Sequence, residues 1–177
     1  SEVGRSPRHS SARLWKNRPR DDAGGSRRSV VIYLDTSAFL KLYLREQGSE
    51  EVQRIVTDQD DPVPVWDLLQ AEMLNALRLK VFWGELEAAE ADRLCRLFDD
   101  RLRRGQYFVA DVDRTRLSQR FRELCGWTSE TGCRTMDILH VACAVQLAPS
   151  SFVSFDSRQR TLADRVGLEI LPEHAEP

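Results

Sequence analysis

From Val30 onward, short runs of β-branched and aromatic residues alternate with longer stretches whose apolar positions recur three and four residues apart. The short runs predict strands at VVIYL (30–34), VPVW (63–66), YFVA (107–110), FVSF (152–155) and LEIL (168–171). The longer stretches predict helices near 37–46, 49–58, 67–82, 85–104, 114–125, 135–148 and 157–166. Pro149 follows one of these helices, Ser157 stands where it can cap the next, and Gly167 where it can close it. Strands that alternate with helices predict an α/β domain with a largely parallel sheet. No internal repeat is visible.

Open parallel sheets bind ligands beyond the carboxyl ends of their strands. Asp35 and Asp156 stand there, directly after the strands ending at Leu34 and Phe155, and each opens a helix. Taken singly, each reads as a helix N-cap, because aspartate is favoured at that position and by the helix macrodipole. Two further acids occupy unusual places. In WDLLQAEMLNALRLKVFW the residues Leu68, Glu72, Asn75 and Leu79 share a helical stripe, so a carboxylate and an amide lie between leucines. In RTMDILHVACAVQLA nearly every residue after Asp137 is apolar, apart from His140 and Gln146, which marks a helix buried on most sides. Asp137 falls in its first turn behind Thr135, the expected cap. His140 reads as a hydrogen-bonded core or rim histidine, since no second His or Cys shares its face.

Composition adds two bounds. With 177 residues, 41% of them hydrophobic, the chain can bury one sizeable core and is expected to form one globular unit. No long uncharged apolar run suggests a membrane span or a secretory signal, so a cytoplasmic protein is expected. The four cysteines (Cys95, Cys125, Cys133, Cys143) lack metal-site spacing and read as reduced, core-filling thiols. The net charge of -2 conceals two unlike parts: residues 1–29 carry eight Lys/Arg and three Asp/Glu, the remainder 18 basic and 25 acidic residues. The Arg-, Ser- and Gly-rich segment 1–29 is expected to be a disordered extension. It reads either as a basic arm touching nucleic acid or as a non-native preface from a misplaced start. The domain is then expected over 30–177.

Were the four acids to converge, repulsion would need an answer: two unit charges about 4 Å apart cost roughly 4 kcal/mol at an effective dielectric near 20. A divalent cation supplies one. All-oxygen ligands select hard ions, Mg²⁺ or Mn²⁺ over Zn²⁺, and such ions serve phosphoryl chemistry, which points to a nuclease.

The segments IYLDTSAFLKLYL, AEMLNALRLK, RTMDILHVACAVQL and FVSFDSRQRTLA together resemble, in order and spacing, the PIN-domain ribonucleases of the VapC-like toxin group. The resemblance covers almost all of 30–172. It implies a three-layer α/β/α sandwich with a mainly parallel sheet of four to five strands. It implies that Asp35, Glu72, Asp137 and Asp156 form the catalytic metal site, with Thr36 or Ser37 as a hydroxyl beside the first acid and Asn75 as the amide accompanying the glutamate. It also implies Mg²⁺-dependent hydrolysis of RNA phosphodiesters, with Mn²⁺ as a substitute ion, a homodimer, and inhibition by a cognate antitoxin protein. Basic residues for phosphate contacts are sought in Lys41, Arg78, Lys80, Arg134, Arg158 and Arg160, with Arg134, one turn before Asp137, foremost. A PIN-fold RNA-processing endonuclease without an antitoxin, or a non-catalytic RNA- or protein-binding module of the same fold, are the alternatives. A haloacid-dehalogenase-like phosphatase would need an aspartate where Ser37 stands. A phospho-receiver domain would need an acidic pair where the chain has LDTS.

Overall fold

In the computed structural model, residues 31–59 and 61–173 are described. The expected extension over 1–29 lies outside them. Among the described residues five strands and eight helices follow one another: β1 (Ile32–Leu34), α1 (Thr36–Leu40), α2 (Ser49–Thr57), β2 (Val63–Val65), α3 (Asp67–Phe82), α4 (Ala88–Arg103), β3 (Tyr107–Val109), α5 (Arg114–Cys125), α6 (Thr128–Thr131), α7 (Thr135–Leu147), β4 (Ser151–Val153), α8 (Ser157–Arg165) and β5 (Glu169–Leu171).

All strand pairings are parallel. One sheet has the order β1-β4-β5, a second pairs β2 with β3, and β1 and β2 lie side by side where the two meet. The expected sheet of four to five strands is therefore split three and two. β1, β2 and β4 are buried along their whole length, as strands covered on both faces must be. Helices pack over them to complete a three-layer α/β/α sandwich. The register sets Ile32 beside Ser151 and Leu34 beside Val153, so the residues leaving β1 and β4 emerge together.

α7 is the most enclosed helix: Ile138 and the run from His140 to Ala144 are buried, and α5 and α8 pack against it. Its small residues Ala142, Cys143 and Ala144 let those neighbours approach. Cys133 and Cys143 are buried, Cys95 and Cys125 half-buried, and all four are free thiols.

Several predicted boundaries move. The helix expected over 37–46 ends at Leu40, after which the Lys41 and Leu42 amides bond three residues back, to Ala38 and Phe39. The helix expected from residue 85 begins at Ala88. Ser157 is not the cap of α8: Asp156 takes that place, its side chain accepting from the amides of Arg158 and Gln159. Thr135 likewise cedes the N-cap of α7 to Arg134. α6, a single helical turn, was hidden in a segment rich in Gly, Ser and Thr. Gly167 closes α8 as expected: at φ 78° it donates to Asp164 O, while Leu168 N donates to Ala163 O. No helix among the described residues is long and apolar enough to cross a membrane.

Candidate functional site

Asp35 leaves β1 in an extended conformation and caps α1. Its Oδ1 accepts from the Ala38 amide at 2.7 Å and from Ser37 Oγ at 2.9 Å, and its Oδ2 from Ser154 Oγ at 2.7 Å. The residue is only 1% exposed and forms no salt bridge with Lys or Arg among the described residues. Burial raises its pKa above the ordinary aspartate value, against the lowering pull of the Ala38 and Ser154 bonds. The carboxylate is thus buried among neutral hydrogen-bond donors, with no Lys or Arg paired to it among the described residues.

Glu72 reaches the same end of β1 from α3. Its Oε2 accepts from Thr36 Oγ1 at 2.6 Å and meets His140 Nε2, also at 2.6 Å; Thr36 Oγ1 and His140 Nε2 are 3.0 Å apart. Burial pushes the Glu72 pKa up, but the hydrogen bonds from His140 and Thr36 outweigh it and the net shift is downward. His140 is a buried, hydrogen-bonded histidine, as the sequence suggested, and its Nδ1 lies 2.8 Å from Tyr33 OH.

The other two acids form a second group. Asp137 occupies the first turn of α7, where its Oδ2 accepts from the Arg134 amide at 2.8 Å and its Oδ1 from Gln159 Nε2 at 3.2 Å. Asp156 accepts from the Arg158 and Gln159 amides at Oδ1 and from the Arg158 guanidinium at Oδ2, 3.0 Å away. Burial raises its pKa, but the Arg158 and Gln159 bonds prevail and hold it below the usual carboxylate range. Gln159 belongs to both acids, since its backbone serves Asp156 while its side chain serves Asp137. Its Oε1 is buried without a protein partner.

Two links join the groups. Ser154 Oγ donates to Asp35 and accepts from the Asp156 amide at 3.2 Å. His140, bonded to Glu72, stands one helical turn beyond Asp137. Hydrogen bonds through Ser154 and Gln159 thus join Asp35, Asp156 and Asp137, while Glu72 is held by Thr36 and His140; Thr36 and Ser37 both belong to these sets. Asn75 is not brought into them; its side chain is exposed and forms no hydrogen bond among the described residues. Arg134 has an exposed side chain beside Asp137. Of the other cations, Arg78 pairs with Asp92, Lys80 with Glu46 and Glu85, and Lys41 with Glu46. Arg160 pins the carbonyls of Ser154, Leu171 and Pro172, a structural task.

As placed, no three His, Cys, Asp or Glu side chains among the described residues stand close enough to hold one metal ion. The donor set itself fits a hard cation. It consists of carboxylates that keep free lone pairs, around an Asp35 that has no Lys or Arg partner among the described residues. Ser154, Gln159 and Tyr33 were missed from sequence. Only Gln159 carried a local sign, standing three residues after the Asp156 cap, where a capping-box partner is expected.

Comparison with known proteins places these residues in context. The family model described as the PIN domain matches residues 32–165. The chain is 28% identical over 144 residues to Ribonuclease VapC46 of Mycobacterium tuberculosis, which covers 80% of this chain and 97% of that protein. Among solved structures, FitAcB from Neisseria gonorrhoeae superposes with a TM-score of 0.54 at 16% identity, covering 79% of this chain and 96% of that one. VapBC2 from Rickettsia felis, bound to a DNA fragment from their promoter, gives 0.55 at 11% identity with the same coverage of 79% and 96%. At those identities the likeness is one of fold.

Proposed function

The chain belongs to the PIN-domain family, and on that premise we propose that it is a Mg²⁺-dependent endoribonuclease, the toxin of a type II toxin–antitoxin pair. The observation that carries this reading is the buried carboxylate of Asp35, without a Lys or Arg partner among the described residues and tied by hydrogen bonds to the segments bearing Asp156 and, through Thr36, Glu72. Asp35, Glu72, Asp137 and Asp156 would hold the ion, for which Mn²⁺ can substitute. When bound, it supplies Lewis acidity toward a phosphodiester and lowers the pKa of a water.

The chain's own residues do the rest. Ser37, Ser154 and the Ala38 amide fix the Asp35 carboxylate without neutralising it. Thr36 and His140 hold one oxygen of Glu72. Arg134, exposed beside Asp137, would take an RNA phosphate; Arg158 already pairs with Asp156 and would contribute through that pair. Support for a protein partner comes from exposed apolar side chains at the end of α3 and just beyond it, with Phe82 83% and Trp83 59% exposed. A cognate antitoxin and a second copy of the chain are the expected occupants.

That Asp35, Asp137 and Asp156 all serve helix N-termini favours a second reading, a PIN-fold module that binds RNA without cleaving it. Cleavage decides. The purified chain is expected to cut structured RNA with Mg²⁺ and not with a chelator, and Asp35→Asn and Asp137→Asn are each expected to lose roughly 10²–10³-fold in rate. Equal cleavage by all three proteins rejects the metal site. Growth arrest on expression, relieved by the product of a neighbouring gene, separates a toxin from an RNA-processing enzyme.

A further inference from the structure

One hydrogen-bonded chain runs from the core to the site. Trp66 Nε1 donates to Tyr33 OH at 2.8 Å, Tyr33 OH meets His140 Nδ1 at 2.8 Å, and His140 Nε2 meets Glu72 Oε2 at 2.6 Å. An indole N–H can only donate, so the Tyr33 oxygen accepts from Trp66. The Tyr33 hydroxyl hydrogen is then free to point at His140 Nδ1. With Nδ1 accepting, the ring proton belongs on Nε2, facing the glutamate. Whether the Tyr33 hydroxyl turns to His140 Nδ1 or to Cys143, the Glu72 carboxylate, an acceptor only, calls for a proton on Nε2.

The members of this chain are rigidly set. Tyr33 is fully buried in β1 and stacks on Phe152, with ring centroids 5.6 Å apart and planes 9° from parallel. His140, 2% exposed, meets the Trp66 ring edge-on at 89°. Trp66 is also the residue from which α3 starts, and α3 carries Glu72. The bonds therefore close a circuit from α3 to β1, to α7, and back to α3. Oε2 of Glu72 receives both Thr36 and His140, and among the described residues Oε1 is left without a protein donor.

We propose that His140 is a positioning residue for Glu72: its Nε2–H, oriented by Tyr33 and Trp66, holds one carboxylate oxygen so that the other is presented to the cation. This deepens the metal-site reading and rests on it. The role is distinct from a purely structural one because the circuit ends on a carboxylate of the acidic set rather than on backbone.

The test is Mn²⁺ binding by calorimetry on the purified full chain without RNA, for the wild type, Asp35→Asn, His140→Asn, His140→Gln and Tyr33→Phe. A glutamine amide can reach the position of Nε2, whereas an asparagine amide reaches only that of Nδ1. His140→Asn is expected to weaken Mn²⁺ about 10–100-fold, the usual effect of removing an outer hydrogen-bond partner of a metal ligand. His140→Gln is expected to recover most of that loss. Tyr33→Phe, which keeps the core volume, is expected to weaken binding less than His140→Asn does. A long-range ¹H–¹⁵N spectrum at neutral pH is expected to show the His140 proton on Nε2. Loss of binding in Asp35→Asn with none in His140→Asn overturns the positioning role alone, as do equal losses in the Asn and Gln variants or a ring proton on Nδ1. Absence of Mn²⁺ binding by the wild-type chain overturns the role together with the metal reading.

Discussion

Asp35 in one half of the site and Asp156 in the other, standing past the ends of the neighbouring strands β1 and β4, treat negative charge in opposite ways. Asp35 is buried among a serine pair and one amide, and its pKa is driven up by desolvation. Asp156, half-buried, has Arg158 on its carboxylate and a depressed pKa. Asp35 has no Lys or Arg partner among the described residues, whereas Asp156 has its charge already offset. A site built to receive a cation needs the first kind of carboxylate, because a fully paired one gains little from exchange. The paired half is also the more exposed, which suits groups that must release a partner when a ligand enters.

The comparison can be broken in three ways. Ser154 is fully buried and serves both halves, so Ser154→Ala strips Asp35 Oδ2 of its donor and the Asp156 amide of its acceptor. It is expected to lower unfolding free energy by about 1–3 kcal/mol, the usual penalty for orphaning buried polar groups, measured by urea denaturation. An unchanged midpoint would mean that the two halves are not mechanically joined.

Next in size is the contrast between Asp35→Asn and Asp156→Asn. The folded-state pKa of Asp35 is raised, so its stability contribution is present below the unfolded value, about 3.9, and is lost as pH rises through the folded value. Asp35→Asn removes that loss while keeping an N-cap acceptor, so it is expected to melt a few degrees higher than wild type at neutral pH, the gap closing in acid. Asp156 has a lowered folded-state pKa, so its contribution is present above the unfolded value and is lost as pH falls through the folded one. Asp156→Asn is expected to melt lower at neutral pH, again converging in acid. Shifts of the same sign would erase the distinction between the halves.

The smallest effect is expected for Arg158→Gln. With 39% of its side chain exposed, Arg158 is screened by solvent, and its loss is expected to move the urea midpoint less than Ser154→Ala does. A larger loss would mean that the paired half is as rigid as the buried one.

Much of the scaffold was legible in the sequence because its signals are local. The limits 67–82 and 114–125 coincide with the observed α3 and α5, where apolar spacing and end residues agree. All five strands lie within a residue or two of their apolar runs. The errors are local signals overruled by packing. The KLYL that follows Leu40 has a helical pattern, yet Leu42 is drawn into the core and Tyr43 OH donates to Tyr107 OH, 64 residues away. Thr135 and Ser157 were eligible caps, but the chain enters α7 and α8 one residue earlier, at Arg134 and Asp156.

The sequence by itself determined the order of elements and placed Asp35 and Asp156 at strand ends, because periodicity and capping depend on neighbours a few residues apart. Helical periodicity singled out Glu72 and Asp137, and the family resemblance implied that all four serve one site. Only the tertiary structure decided how each carboxylate is served. The parallel register of β1 and β4 brings Ser154 to Asp35 across 119 positions, and the seating of α7 beside α3 brings His140 to Glu72 across 68. Burial and hydrogen-bond donors arrive from remote segments, so whether an acid is left charged and unpaired or matched to an arginine is settled when the layers close.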